Sequence, residues 1–226
     1  MQGQSGSAWE FLQRNHESHR ILKKNYKFYL INTILAVLIY YTSKIYDLTN
    51  HATNSVHILV TPLDKIVPFI PQFILIYNSL EAVIYVTLLF FFIFHPRIFT
   101  PFALSMISLF LVSNFVYVIF QTYVPRPTLE PGSNYFVNKV IELYRSDNPY
   151  NCFPSLHCGT SALTASVWFT KKKYRVVAYI MSIWVILIIL STQFLKQHVI
   201  ADIIGAPLAI GIFLIFYKLF HLEQVS

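Results

Sequence analysis

"QFILIYNSLEAVIYVTLLFFFIF", residues 72–94, contains a single charged side chain, that of Glu81. A run of about 20 apolar residues is the length that a helix needs to cross the hydrocarbon core of a bilayer. The whole chain has the same character, because 55% of its 226 residues are hydrophobic and only 12% are charged. We therefore expect an integral membrane protein, since a water-soluble core of this size does not need such long apolar runs.

Six apolar windows of this kind predict six membrane spans, at residues 28–46, 72–94, 100–121, 155–170, 176–195 and 199–220. The fourth window is the shortest and carries several polar side chains. No linker or low-complexity stretch divides the chain, so residues 1–226 are expected to form one domain. The predicted fold is an all-α, six-transmembrane-helix bundle.

The orientation follows from the distribution of Lys and Arg, which favour the cytoplasmic side. With the N-terminus inside, eleven of the seventeen basic residues fall on the cytoplasmic side, including those of "KKKYR" at 171–175. Both termini are then cytoplasmic, with residues 1–27 as an inner segment and 122–154 as an extracytoplasmic loop. The net charge of +7 is thus explained by membrane topology, and no nucleic-acid partner is expected.

Three short segments meet the membrane from the predicted outer side. "YVPRPTL" (123–129) carries Arg126, "CFPSLHC" (152–158) carries His157, and "STQFLKQHVIADIIG" (191–205) carries His198 and Asp202. Ionisable groups at membrane depth are costly and usually functional. These four side chains are the candidate site.

His198 and Asp202 are four residues apart, so on a helix their side chains would be neighbours. The carboxylate can hold one ring nitrogen protonated and leave the lone pair of the other free to attack. A second imidazole, His157, could protonate a leaving group, and the Arg126 guanidinium could bind phosphoryl oxygens. The pattern therefore indicates phosphoryl transfer, a scheme that requires no metal and no other cofactor.

Small side chains offer a way to bring the two histidines together. One stripe lies below His198 and a matching stripe lies below His157; the two stripes are Gly205, Ala206 and Ala209, and Thr160, Ser161, Thr164 and Ala165. Small residues let two helices approach closely. Packing the stripes together would place the two rings opposite each other.

At these residues the chain resembles the type 2 phosphatidic acid phosphatase (PAP2) superfamily of membrane enzymes. Arg126-Pro127 matches the end of its first motif, Pro154-Ser155-Leu156-His157 matches the second with Leu in place of Gly, and Ser191, His198 and Asp202 match the third. The resemblance implies that His198 is the nucleophile, His157 the acid and Asp202 the group that orients His198. It also implies that Arg126 and Ser155 bind phosphate.

The chain departs from the family pattern at two cationic positions. Ile119 stands where the family has Lys, and Thr192 stands where it has a second Arg, which leaves Lys196 and Arg145 as candidate replacements. The second motif and the missing Arg look more like the branch that contains inositol phosphorylceramide synthase. Fewer cations suit a phosphodiester, which carries one negative charge where a phosphomonoester carries up to two.

The expected function is a metal-independent lipid phosphatase of the cell membrane, with its site on the extracytoplasmic side and a polyprenyl diphosphate or phosphatidic acid type of substrate. The first alternative is a headgroup phosphotransferase related to inositol phosphorylceramide or sphingomyelin synthase. The second alternative is a lipid carrier or scramblase that catalyses no reaction. The lipid, the choice of water or alcohol as acceptor, and the oligomeric state stay open.

Several residues have simpler interpretations. Arg126 could anchor a loop to headgroups, and Ser155 could cap a helix. His157, His198 and Asp202 are also ligand types that zinc accepts. Cys152 and Cys158 are expected to be free thiols, because a disulfide across so short a turn would be strained.

Overall fold

The computed structural model describes residues 5–53, 55–132 and 134–222, with side chains described from residue 26 onward. The described chain is helical, and its extended segments form only isolated bridges. The α-helices are α1 (Ser5–Thr49), α2 (Pro62–Ile66), α3 (Ile74–Phe94), α4 (Pro96–Ile119), α5 (Tyr135–Ser146), α6 (Leu156–Trp168), α7 (Arg175–Phe194) and α8 (Gly205–Leu219). Short 3₁₀ helices, Pro71–Phe73, Lys172–Tyr174 and Ile200–Ile204, precede α3, α7 and α8. Residues 1–4 of the predicted inner segment 1–27 lie outside the described residues.

Five helical segments are long and apolar enough to cross a membrane. They are Tyr26–Thr49, Pro71–Phe94, Pro96–Ile119, Lys172–Phe194 and Ile200–Leu219. The predicted fourth span, 155–170, is the exception, because α6 has only 13 residues. At 1.5 Å per residue it is about 20 Å long, short of the ~30 Å hydrocarbon core. An all-helical membrane protein with five candidate spans is therefore confirmed. The predicted span at 155–170 is not confirmed.

α6 lies at the centre of the bundle, where it contacts α3, α4, α7 and α8. Three of its four hydroxyl side chains are compatible with this apolar surrounding because they donate to carbonyls of their own helix, while the Thr164 hydroxyl has no described partner. Thr160 bonds Leu156 O at 2.7 Å, and Ser166 bonds Ala162 O at 2.8 Å. Enclosure by neighbouring helices explains why this helix is short and polar although it lies inside a membrane protein.

The first turns of α6 and α8 touch at backbone distance. A Cβ on Gly205 would lie 2.1 Å from the carbonyl oxygen of Ser155, and one on Gly159 would lie 3.1 Å from the carbonyl oxygen of Gly205. The members of both predicted small-residue stripes are buried or nearly so. α6 and α8 therefore pack closely, through Gly205 of one stripe against Ser155 and Gly159, and this brings the chain around His157 against the chain around His198.

The loops predicted to lie outside the membrane gather at one end of the bundle, called here the site end. His57 N donates to Gln121 O at 2.8 Å, and Ile70 N donates to Phe194 O at 3.1 Å. The predicted loop 122–154 contains α5, whose first turn is capped by the Asn134 side chain. Cys152 and Cys158, at and after the end of this loop, are both free thiols, as predicted, and both are buried.

Candidate active site

His198 and Asp202 form a buried pair at the site end, but they do not share an α-helix as their spacing predicts. α7 ends at Phe194, and His198 lies in the following loop, before the 3₁₀ helix that contains Asp202. Asp202 Oδ2 lies 3.1 Å from His198 Nδ1 and accepts the backbone N–H of Val199 at 3.0 Å. The pairing is thus achieved by a tight turn rather than by helical periodicity.

The turn is closed by the carbonyl oxygen of Thr192. It accepts the backbone N–H groups of Gln197 at 3.0 Å and His198 at 3.2 Å. Lys196, the residue before Gln197, takes a left-handed conformation with φ of 52°. This reversal ends α7 early, because the last carbonyls of the helix are satisfied by the chain that folds back over them.

His157 is the second residue of α6, so the start of that helix sets its position. The Ser155 hydroxyl caps α6 by accepting the N–H of Cys158 at 3.2 Å, and the Ser155 N–H donates to the carbonyl of Asp202 at 2.9 Å. As a result, His157 Nδ1 lies 3.1 Å from His198 Nε2, with ring centroids 5.2 Å apart. The structure therefore brings His157, His198 and Asp202 into one continuous line of hydrogen bonds.

The carboxylate determines how protons are distributed along this line. An ionised Asp202 accepts a proton from His198 Nδ1, which leaves the Nε2 of a neutral His198 as an acceptor. His157 Nδ1 must then carry the proton that joins the two rings, and its Nε2 becomes an acceptor in turn. This assignment puts the Nδ1–H of His157 directly beside the lone pair of the candidate nucleophile.

The line continues to Tyr77, a residue that sequence reasoning missed. Its hydroxyl lies 2.6 Å from His157 Nε2, and the two rings are 4.8 Å apart. Tyr77 is buried in the first turn of α3. A tyrosine near the end of an apolar run is typical of the membrane interface, so the sequence carried no signal that would distinguish it.

Arg126 is held within the site end by neutral groups. Its Nη1 donates to the carbonyl of Asp147 at 2.6 Å, its Nη2 donates to Gln197 Oε1, and its guanidinium lies 4.6 Å from the ring centroid of Tyr144. Burial raises the pKa of Tyr144 to about 12, although the Arg126 charge opposes this. No described carboxylate forms an ion pair with Arg126, so its charge stays available to an anion.

Arg126 therefore also fixes the outer loop, through bonds to other parts of the protein. It joins the end of α5 to Gln197, the residue next to His198. Gln197 is buried, and its side-chain nitrogen has no hydrogen-bond partner among the described residues, nor has Arg126 Nε. Two donors beside the candidate nucleophile are thus unused.

A cavity of about 260 Å³ opens beside His198. Its lining includes Lys196, Lys65, Val124 and Pro125. Lys196 Nζ donates to the carbonyls of Val67 at 2.5 Å and Asp64 at 3.2 Å, and burial lowers its pKa although Asp64 opposes this. Of the two candidate replacement cations, Lys196 is the one that lines the cavity of His198.

Asp64 is a second residue that the sequence did not single out. Its Oδ1 accepts the N–H of Ile200 at 2.7 Å, and its Oδ2 accepts both the hydroxyl and the N–H of Thr61, at 2.6 and 2.7 Å. It thereby ties the α2 segment to the 3₁₀ helix that holds Asp202. The signal available was a lone carboxylate between the prolines of "TPLDKIVP".

The side chains at the remaining predicted positions make no described hydrogen bond to either histidine. Ile119, where the family has Lys, is 63% exposed on the outside of α4. Thr192 is fully buried, and its hydroxyl bonds Ile189 O. Arg145 is an exposed residue of α5 and is not part of the cavity lining. Ser155 is fully buried with its hydroxyl engaged in the cap.

One set of metal-ligand types comes together among the described residues. Ligand atoms of Cys152, His198 and Asp202 lie within 4.8 Å of one another, and Asp202 Oδ1 has no described hydrogen-bond partner. This set contains Cys152 in place of the His157 of the zinc alternative. Burial raises the pKa of the Cys152 thiol well above its usual value, which disfavours the thiolate that a metal would bind.

A family model described as the PAP2 superfamily matches residues 69–216, which is more than half of the chain. The match includes α3, α4, α6, α7 and most of α8, and with them every residue of the line from Tyr77 to Asp202. Comparisons with curated proteins and with solved structures find no match.

Proposed function

The chain belongs to the PAP2 superfamily, and from this membership we propose that it is a membrane lipid phosphatase that works through a phosphohistidine on His198. Membership itself points to a membrane phosphatase or phosphotransferase. The proposed substrate is a lipid phosphate or diphosphate, of the phosphatidic acid or polyprenyl diphosphate type. The proposed location is the cell membrane, with the site end on the extracytoplasmic side.

The observation that carries the proposal is the unbroken line Asp202, His198, His157. In the first step the lone pair of His198 Nε2 forms a bond to phosphorus while the bond from phosphorus to the leaving oxygen breaks. Nδ1 of a protonated His157 donates its proton to that oxygen. Asp202 stabilises the cationic His198 ring as the nitrogen–phosphorus bond forms.

The second step returns the site to its starting state. His157 Nδ1 removes a proton from a water molecule whose oxygen attacks phosphorus, and the nitrogen–phosphorus bond breaks. Phosphate leaves, the electron pair returns to His198 Nε2, and His157 is again protonated. Each ring thus has a separate task, which fits their separate hydrogen-bond partners.

The surroundings suit an anionic headgroup on a lipid. Arg126, Lys196 and Lys65 supply positive charge at the site end, and a guanidinium can bind two phosphoryl oxygens at once. The cavity wall also contains apolar side chains, Val60, Phe69 and Val199 among them. A headgroup and the first atoms of its lipid chain could therefore be bound together.

The test is phosphate release from ³²P-labelled phosphatidic acid and polyprenyl diphosphate by purified protein in detergent micelles. The wild type is expected to release phosphate and to carry an acid-labile phosphoryl group, and His198→Ala is expected to lose both. His51→Ala, which changes an exposed ring, is the control. Turnover that survives His198→Ala would contradict the proposal.

A headgroup phosphotransferase is the second candidate, favoured by the small number of free cations. Ile119 and Thr192 replace two family cations, and both Arg126 and Lys196 already hold backbone carbonyls. Such a site suits a singly charged phosphodiester better than a doubly charged monoester. Labelled phospholipid supplied with an alcohol acceptor distinguishes the two: label found only in a new lipid indicates transfer, and label found in free phosphate indicates hydrolysis.

A further inference from the structure

Tyr77 makes a hydrogen bond that the phosphoryl-transfer scheme does not use. Its hydroxyl lies 2.6 Å from His157 Nε2, the ring nitrogen that faces away from His198. Tyr77 is 6% exposed, and its ring packs against the imidazole, with the two rings inclined by 34°. Tyr77 thus holds both the position and the rotation of the His157 ring.

We propose that Tyr77 is a positioning residue that acts on His157. Tyr77 fixes the tautomer of His157 in the resting site and stabilises the protonated form of His157 during turnover. This inference rests on the proposed function, because it concerns how the acid of that reaction is prepared. Tyr77 itself touches no reacting atom and acts through His157.

The resting tautomer follows from the direction of the hydrogen bonds. A neutral His157 that donates from Nδ1 to His198 has a lone pair at Nε2. The Tyr77 hydroxyl donates to that lone pair and so favours the tautomer with its proton at Nδ1. The proton is therefore already on the nitrogen that faces the place where phosphorus must enter.

Turnover requires the reverse arrangement. When the neutral resting His157 takes up a second proton from water, its new Nε2–H needs an acceptor, because an unpaired charged donor in a buried site is costly. A tyrosine hydroxyl both donates and accepts, so Tyr77 can accept this proton by rotating its own O–H. After Nδ1 has given its proton to the leaving oxygen, His157 remains as a neutral ring with Nε2–H still bonded to Tyr77.

The charges around His157 agree with this role. The ionisable groups that act on it are Tyr77 from α3, His198 from the loop before α8, and Arg126 from the outer loop. Burial, a protonated His198 and Arg126 all oppose a positive charge on His157. Tyr77 supplies the acceptor that favours that charge.

The test compares Tyr77→Phe with the wild type, using ³²P-labelled phosphatidic acid between pH 4 and 9, roughly spanning the titration of an imidazole. The expected result is a roughly 10- to 100-fold lower kcat with little change in KM. Because the variant disfavours protonated His157, the fall in kcat at high pH is expected to begin at lower pH than in the wild type. An unchanged pH profile would overturn the inference.

Tyr174→Phe is the matched control, since the Tyr174 hydroxyl makes a bond of the same kind to His95 Nε2, at 2.9 Å, away from the site end. A purely structural effect of losing such a bond appears in both variants. Loss of activity in His198→Ala tests the proposed function separately, so the two ideas can fail independently.

A second readout needs no substrate. Protein labelled with ¹⁵N-histidine is compared by NMR between wild type and Tyr77→Phe, and the His157 signals are assigned from their loss in His157→Gln. The wild type is expected to show protonated Nδ1 and bare Nε2, and the variant to show a mixture of tautomers. Identical His157 signals in the two proteins would rule out the positioning role.

Discussion

His157 Nδ1 lies 3.1 Å from His198 Nε2, so the candidate acid and the candidate nucleophile are hydrogen-bonded directly to each other. A reacting nitrogen must come within roughly 3–3.5 Å of phosphorus, and the leaving oxygen needs further room beyond it. The two rings cannot keep their present bond while a phosphoryl group lies between them. The structure therefore represents a resting site in which each ring masks the other.

Replacement of His157 is expected to separate the two chemical steps. With 4-nitrophenyl phosphate, whose leaving group needs no proton, His157→Ala should still form the phosphohistidine but should hydrolyse it slowly, because the base is missing. A burst of nitrophenol followed by a slow phase would report this, with overall turnover lower by roughly 10²- to 10⁴-fold. His198→Ala should give no burst, and a burst from that variant would contradict the assignment of the nucleophile.

Asp202→Asn tests the role of the carboxylate without changing its shape. An amide can present its NH₂ to His198 Nδ1 and so favour the tautomer with the proton on Nε2, where the lone pair is needed. Turnover is expected to fall by about 10³- to 10⁴-fold with folding retained. The control is Asp47→Asn, at an exposed carboxylate paired with Lys44 at 3.0 Å. Nearly full activity in Asp202→Asn would exclude the orienting role.

Asp64 is expected to make stability depend on pH. Burial by itself raises the pKa of this carboxyl, but the hydrogen bonds from Thr61 and Ile200 outweigh it and lower the pKa below the usual 3.8. Because the folded state has the lower pKa, the ionised group stabilises the fold above about pH 4, and this contribution disappears as the pH falls through the folded value.

Thermal unfolding of wild type and Asp64→Asn in detergent, measured from pH 3 to 7, roughly bracketing that titration, gives the comparison. The wild type is expected to be the more stable at pH 7, and the difference should shrink toward pH 3. A difference that stays constant with pH would show that the carboxylate charge contributes nothing.

Metal removal is expected to leave the reaction unchanged, since nitrogen attack on phosphorus needs no metal-bound water. Phosphate release is measured before and after treatment with a chelator, and then with zinc added back. If activity is lost on chelation and restored by zinc, the proposed mechanism is wrong. Cys152, His198 and Asp202 would then be the residues to test as ligands.

The membrane class and the candidate site could be predicted from sequence because they depend on local patterns. Apolar runs give the long helices directly, and the motifs around Arg126, His157 and His198 name the polar residues. Helical periodicity failed between Phe194 and Gly205, since the fold of that segment is set by the Thr192 carbonyl and the left-handed Lys196. No local pattern reports such a turn.

Tyr77 and Asp64 escaped prediction for a different reason. Each acts through a partner far along the chain, at a separation of 80 residues for His157 and 136 for Ile200. A single sequence contains the two partners but not their contact. The predicted span at 155–170 stays unconfirmed, because α6 is short and hydropathy does not reveal that neighbouring helices enclose it.

Gly205 offers a test of the packing that brings the two histidines together. A Cβ at this position would lie 2.1 Å from the carbonyl oxygen of Ser155, which precedes His157 by two residues. Gly205→Ala is therefore expected to destabilise the protein by roughly 1–3 kcal/mol or more. The molecules that still fold are expected to be less active than the wild type. Gly211→Ala is the control, because nothing lies within 4 Å of its Cβ position on α8. The stability of that variant should be unchanged or slightly higher, since Ala has a higher helix propensity than Gly in a helix interior. Melting temperatures in detergent measure both effects, and equal values for the two variants would show that the close approach of α6 and α8 does not hold the site together.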